Sequence, residues 1–137
     1  DIDLIDLMNE RNQQLRKITE TRWNAWDEIY LSDSEWFILS LAYEEGKTVV
    51  AELTKCMEIS RQATHKLIRN LADKGLVTIG QLRNNRKAKF IQLTSKGIKC
   101  YEKRKVLKTE LEEEITSKLG EENLNKLKEI LQTGWGI

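Results

Sequence analysis

The chain has 137 residues, 39% of them apolar and 33% charged, with no proline, which fits one helix-rich domain with a modest core and short connections. No apolar run approaches the length of a membrane span, and the acidic start Asp1-Ile2-Asp3 has no signal-peptide pattern, so a cytoplasmic protein is predicted. The net charge of +1 hides a segregation: residues 57–105 hold 13 Lys and Arg against 3 Asp and Glu, between two acidic flanks, the footprint of a local contact with a polyanion.

Residues 2–30 read as one long helix. Ile5, Met8, Leu15, Ile18, Trp26 and Ile29 keep to one stripe, with charged residues mostly to its sides. Such an arm exceeds what a small domain needs for its own core, so the stripe is assigned to a dimer interface. Ser32-Asp33-Ser34-Glu35 is a capping box that opens a helix apolar almost all round, from Trp36 to Tyr43, ending near Gly46. Thr48 is expected to cap the next helix, with Val49, Val50 and Leu53 inward, and Cys56-Met57-Glu58 to form a turn.

Ser60 caps the following helix. Ala63, Leu67, Ile68 and Leu71 share one arc of it, while Arg61, Gln62, His65, Lys66 and Arg69 occupy the opposite arc. Gly75 suits the left-handed residue that ends a helix. Residues 76–82 and 87–93 read as two strands, with Val77, Ile79, Ile91 and Leu93 alternating inward. Arg83-Asn84-Asn85-Arg86 is the turn between them, because Asn tolerates positive φ. Thr94 caps a helix running to Leu119, Gly120 breaks it, and a last helix carries Leu124, Leu127, Ile130 and Leu131.

Three strings resemble the MarR family of winged-helix transcription regulators. They are Leu31-Ser32-x-x-Glu35-Trp36-x-x-Leu39, the run from Ser60-Arg61-Gln62-Ala63-Thr64-His65-Lys66 to Lys74-Gly75-Leu76-Val77, and Leu93-Thr94-x-x-Gly97. The resemblance implies a mainly α protein with a small β-hairpin wing. Residues 31–97 would form a winged helix-turn-helix lobe flanked by dimerisation helices at 1–30 and 98–137, together one MarR-like domain. It also implies a homodimer on a pseudo-palindromic site in double-stranded DNA, most simply a ligand-responsive repressor. The candidate DNA contacts are Ser60, Arg61, Gln62, Thr64, His65, Lys66, Arg69, Arg83, Arg86 and Lys87. Gln62 would read adenine and Arg61 or Arg69 guanine, while Ser60, Thr64 and Lys66 would hold phosphates. One departure stands out: where the family's wing carries Asp-x-Arg, this chain has Asn85 and Lys87 around Arg86.

Family members bind small aromatic effectors between the dimerisation helices and the lobe. The aromatics Trp23, Trp26, Tyr30 and Trp36 are candidates for lining such a pocket, and plain core is the other reading. Cys56 is expected to pack in the helix turn, and both cysteines read first as structural thiols, with a reactive Cys100 thiolate beside the basic Lys99, Lys103 and Arg104 as the other reading. A redox-responsive regulator and a winged-helix protein-interaction adaptor are the alternatives to a ligand-responsive one. Two isolated thiols do not make a disulfide scaffold. With His65 they are also too few for a zinc site within one chain. No nucleophile–base pair or Gly-rich phosphate loop appears, so no enzyme and no cofactor is expected.

Overall fold

The computed structural model describes the backbone of residues 1–137 and every side chain outside residues 85–87. In chain order it contains α1 (Leu4–Trp26), α2 (Asp33–Glu45), β1 (Thr48–Val49), α3 (Val50–Met57), α4 (Arg61–Asp73), β2 (Val77–Leu82), β3 (Asn85–Leu93), α5 (Ser95–Leu119) and α6 (Glu121–Gln132). Contacts gather these into two compact units, one of residues 1–28 and 105–137, the other of residues 29–104. The mainly helical architecture with a small antiparallel sheet is the one expected from the sequence.

The unit of residues 29–104 is built around α2. Its capping box forms as read: Glu35 N donates to Ser32 Oγ at 3.2 Å, and Ser32 N donates to Glu35 Oε1 at 3.0 Å. Trp36, Ile38, Leu39 and Ala42 are buried, and Gly46 at φ 79° ends the helix. Each large aliphatic side chain removed from water contributes about 1.5–3 kcal/mol, which fixes the face that α2 turns inward.

Thr48 does not cap a helix. With Val49 it forms β1, paired antiparallel to β3 through Thr48–Ile91 and Val49–Phe90, and α3 starts at Val50 without a side-chain cap. Two β-branched residues favour extended backbone, and here a distant strand supplies the partner that local sequence cannot show. The side chain of Thr48 is 1% exposed, and its hydroxyl has no hydrogen-bond partner among the described residues.

The strand order is β1-β3-β2, so β3 is central. Ile91 lies between Thr48 and Ile79 and is fully buried. Val77 is also buried, but Ile79, on the edge strand β2, is 44% exposed. The turn is shorter than expected, Arg83-Asn84, with β3 starting at Asn85 and a register shift between Gln81 and Leu82. Gly80 faces Phe90 across the pair, and a Cβ there would lie 2.5 Å from the ring, so the absent side chain makes room for the aromatic. Lys47 Nζ sits 4.9 Å from the centre of that ring.

The end of α4 explains the Lys74-Gly75 string. Leu76 N donates to Leu71 O and Gly75 N to Ala72 O around Gly75 at φ 75°, a Schellman ending. Lys74 Nζ donates to Glu35 Oε2 at 3.0 Å and to the Tyr30 carbonyl at 2.8 Å, while Lys96 Nζ donates to the Lys74 carbonyl at 2.9 Å. Glu35 thus caps α2 with one oxygen and holds the end of α4 with the other. Thr94 caps α5 as expected, accepting from Gly97 N at 3.0 Å and donating to the Gly75 carbonyl at 2.6 Å. Gly97 is pressed against the Leu76 carbonyl so closely that a Cβ would overlap it.

In the unit of residues 1–28 and 105–137, Asp3 caps α1 by accepting from Asp6 N at 2.8 Å. The helix stops at Trp26 rather than reaching residue 30, with Asp27 extended at φ −142°. Arg22 makes a two-pronged pair with Glu114, Nη2 to Oε1 at 3.0 Å and Nη1 to Oε2. That hydrogen bonding holds the Glu114 carboxyl below the usual carboxylate range and raises the Arg22 guanidinium. Lys128 pairs with Glu112 at 2.9 Å. Among the described residues, no helix is long and apolar enough to cross a membrane.

Candidate nucleic-acid interface

The helix-turn-helix is α3 and α4, joined through Glu58, whose left-handed backbone at φ 54° turns the chain. Ser60 Oγ accepts from Ala63 N at 3.0 Å and starts α4. The inward face is anchored by Ile68 and Leu71, both buried. That anchorage leaves Arg61, Gln62, Lys66 and Arg69 exposed on the other face, with His65 half-buried beside them. Burial of a few aliphatic groups therefore decides which way the cationic residues point.

Thr64 differs from its reading as a phosphate contact. It is fully buried, accepts a hydrogen bond from Thr54 Oγ1 at 2.8 Å and donates to the Ser60 carbonyl at 3.0 Å. On the helical wheel it lies next to Ile68, one turn on, and the body of the lobe closes over both. Ser60 stays exposed, with its hydroxyl occupied by the cap.

At the wing, Arg83 and Lys89 are exposed. The side chains of Asn85, Arg86 and Lys87 lie outside the described residues, and with them the expected wing contacts from Arg86 and Lys87. The hairpin and α4 meet in a groove of about 640 Å³ lined by Val49, Val50, Ala51 and Thr54, by Arg61 and His65 of α4, and by Ala88 and Lys89 of β3. The groove brings together cationic or donor side chains that are far apart in sequence. Lys89 was absent from the sequence-based contact set although its charge carried a signal. Thr54 forms part of the groove wall, a place that depends on how α3 packs.

The aromatic candidates divide between the two units. Trp23 is buried and meets Trp26 edge-to-face, with ring centres 6.5 Å apart. In the other unit Tyr30 is 59% exposed, whereas Trp36 is buried with the Arg104 guanidinium 4.2 Å from its ring centre. Burial lowers the Arg104 guanidinium from its ordinary value. Tyr43 stacks on Tyr101 at 4.4 Å and donates to Glu102 Oε2 at 3.1 Å, a bond that raises its phenol. Cys56, expected to pack in the helix turn, is exposed, whereas Cys100 is buried. The last turn of α3 presents Cys56 to solvent because Leu53 takes the inward position.

Residues 31–88 match the MarR family. The chain is 27% identical over 131 residues to the HTH-type transcriptional regulator TcaR of Staphylococcus aureus, covering 94% of this chain and 84% of that protein. Its fold is similar to that of MepR, a transcription regulator of the S. aureus multidrug efflux pump MepA, with a TM-score of 0.76, 22% identity and 95% and 94% of the two chains covered. It is similar also to a mutant MarR from E. coli solved with operator DNA, with a TM-score of 0.77, 19% identity and coverage of 94% and 91%. Residues 31–88 are thus similar to the MarR family in sequence, and the chain as a whole shares the winged-helix fold of these transcription regulators.

Proposed function

We propose that this protein is a homodimeric, ligand-responsive repressor that binds a pseudo-palindromic operator through α4 and the wing. The observation that carries this reading is the groove where Arg61 and His65 of the helix meet Lys89 of the wing, beside the exposed row Gln62, Lys66 and Arg69. Cations on a helix and a ribbon that open to one groove suit a duplex whose phosphates flank a readable major groove. Gln62 is suited to adenine, and Arg61 or Arg69 to guanine, in paired hydrogen bonds worth about 1–3 kcal/mol of discrimination each. Ser60 and Lys66 are the candidates for phosphate, with Arg83, Arg86 and Lys87 as the wing's contribution.

Dimer formation is supported by the apolar surface of the helices near the two ends of the chain. Ile5, Met8, Leu127, Ile130 and Leu131 are between 41% and 78% exposed in the single chain, the kind of surface a second copy could cover. Two-fold symmetry would place two recognition helices on half-sites about one helical turn apart. For effector response, the aromatic candidates are Trp23 and Trp26 in one unit and Tyr30 and Trp36 in the other, with a small aromatic compound as the ligand class. A ligand favouring one arrangement of the dimer would shift DNA affinity by population.

Selection from a random duplex library, followed by affinity measurement against unselected DNA at physiological salt, tests the central claim. A recovered inverted repeat bound at least about 1000-fold more tightly than unselected DNA is the expected result. Equal affinity for both would overturn it. Quenching of tryptophan fluorescence by a panel of phenolic carboxylates, with loss of operator binding, tests the effector arm.

A further inference from the structure

Most proton donors around the helix-turn-helix either cap a helix or face solvent. Thr54 and Thr64 do neither. Thr54 lies half-buried on α3 and lines the groove; Thr64 lies fully buried on α4. Thr54 Oγ1 is 2.8 Å from Thr64 Oγ1, and Thr64 Oγ1 is 3.0 Å from the Ser60 carbonyl. Each hydroxyl has one proton, so a single direction satisfies both: Thr54 donates to Thr64, and Thr64 donates to Ser60. The Val50 carbonyl, 3.3 Å from Thr54 Oγ1, is the poorer acceptor for that proton. The Ser60 carbonyl also accepts from Thr64 N at 3.0 Å, so both bonds from Thr64 converge on the residue that starts α4.

We propose that this hydroxyl relay is a specificity device: Thr54 is a positioning residue that sets the first turn of α4, and hence the aim of Arg61 and Gln62, against α3. It rests on the reading of α4 as the DNA-recognition helix. Three observations point the same way. The relay ends on the cap residue one position before Arg61. It joins the two helices of the motif by side chains in a region where no aliphatic residue of the first α4 turn is fully buried. Its first member shares the groove with Arg61 and His65. Base readout needs donors placed to a fraction of an ångström, whereas phosphate attraction tolerates movement of that size. Removing the proton of Thr54 therefore acts on specificity and leaves the charge of the interface intact.

The test compares the full-length chain with Thr54→Val, which keeps the shape and removes the donor, and Thr54→Ser, which restores it. Hydrogen exchange at the Ala63 and Thr64 amides is followed in the free protein, together with affinity for the selected duplex and for unselected DNA. Thr54→Val should exchange faster at both amides and lose about 3- to 10-fold of the ratio between selected and unselected DNA, the size of one net hydrogen bond. Affinity for unselected DNA should hold, and Thr54→Ser should recover both readouts. Unchanged exchange in Thr54→Val overturns the relay itself, even if the native chain selects no sequence and the DNA-reading proposal has failed. Faster exchange with an unchanged affinity ratio overturns its role in specificity, as does an equal loss on both DNAs.

Discussion

Single residues in the lobe are held by constraints of different kinds, and each gives a separate expectation. At Gly97 the constraint is space, because a methyl group would enter the Leu76 carbonyl at the start of α5. Gly97→Ala should lower unfolding free energy by about 2–3 kcal/mol in urea titration, since backbone on both sides must move. At Lys74 it is charge. Glu35 is 4% exposed and shares its carboxylate between Ser32 N and Lys74 Nζ. Lys74→Met leaves a buried carboxylate oxygen without its cation and should cost about 2–3 kcal/mol by the same measurement. At Thr48 the expectation reverses. Its hydroxyl is buried without a partner among the described residues, on a strand position that suits β-branched side chains. Thr48→Val should raise stability by about 1 kcal/mol, seen as a higher denaturation midpoint with an unchanged slope. The sequence had marked Lys74-Gly75 and Thr94-x-x-Gly97 as strings, but what Lys74 and Gly97 touch comes from other elements.

Elements show how far periodicity carries. The inward face of α4 was legible because several large apolar side chains repeat at helical spacing, whereas α2, apolar almost all round, gave no face to read. Ser32, Ser60 and Thr94 were legible as starts because a cap is a contact within three residues. Thr48 failed the same logic, since its competing partner, Ile91, lies on another strand. Thr64 failed by proximity: it stands at the edge of the polar arc of α4, and the packing of α3 decides its side. The function proposed for α4 and the wing has its own test at this scale. Arg61→Ala combined with Arg83→Ala should abolish selective binding of the recovered duplex while leaving circular dichroism unchanged, because both side chains are exposed. In the native chain, affinity should fall steeply between low and physiological salt, in proportion to the phosphates engaged.

For the whole molecule, the division into two units separates two kinds of surface. Residues 29–104 hold the cationic helix and wing, and residues 1–28 with 105–137 hold most of the exposed large apolar side chains. Ile5→Glu combined with Ile130→Glu should give a monomer by sedimentation and weaken operator binding far more than non-specific binding, if those side chains meet a second copy. By itself, the sequence determined the helical class, the order of the helices and of the two wing strands, the caps at Ser32, Ser60 and Thr94, and the cationic arc of α4. These follow from contacts within a few residues or from the period of apolar side chains. Tertiary structure alone decided that Thr48 is a strand residue, that Thr64 joins α3 to α4 instead of facing outward, that Glu35 is shared with Lys74, and that Lys89 meets Arg61 in one groove. Each of these depends on a partner supplied by another element, and no local pattern encodes where that partner will lie.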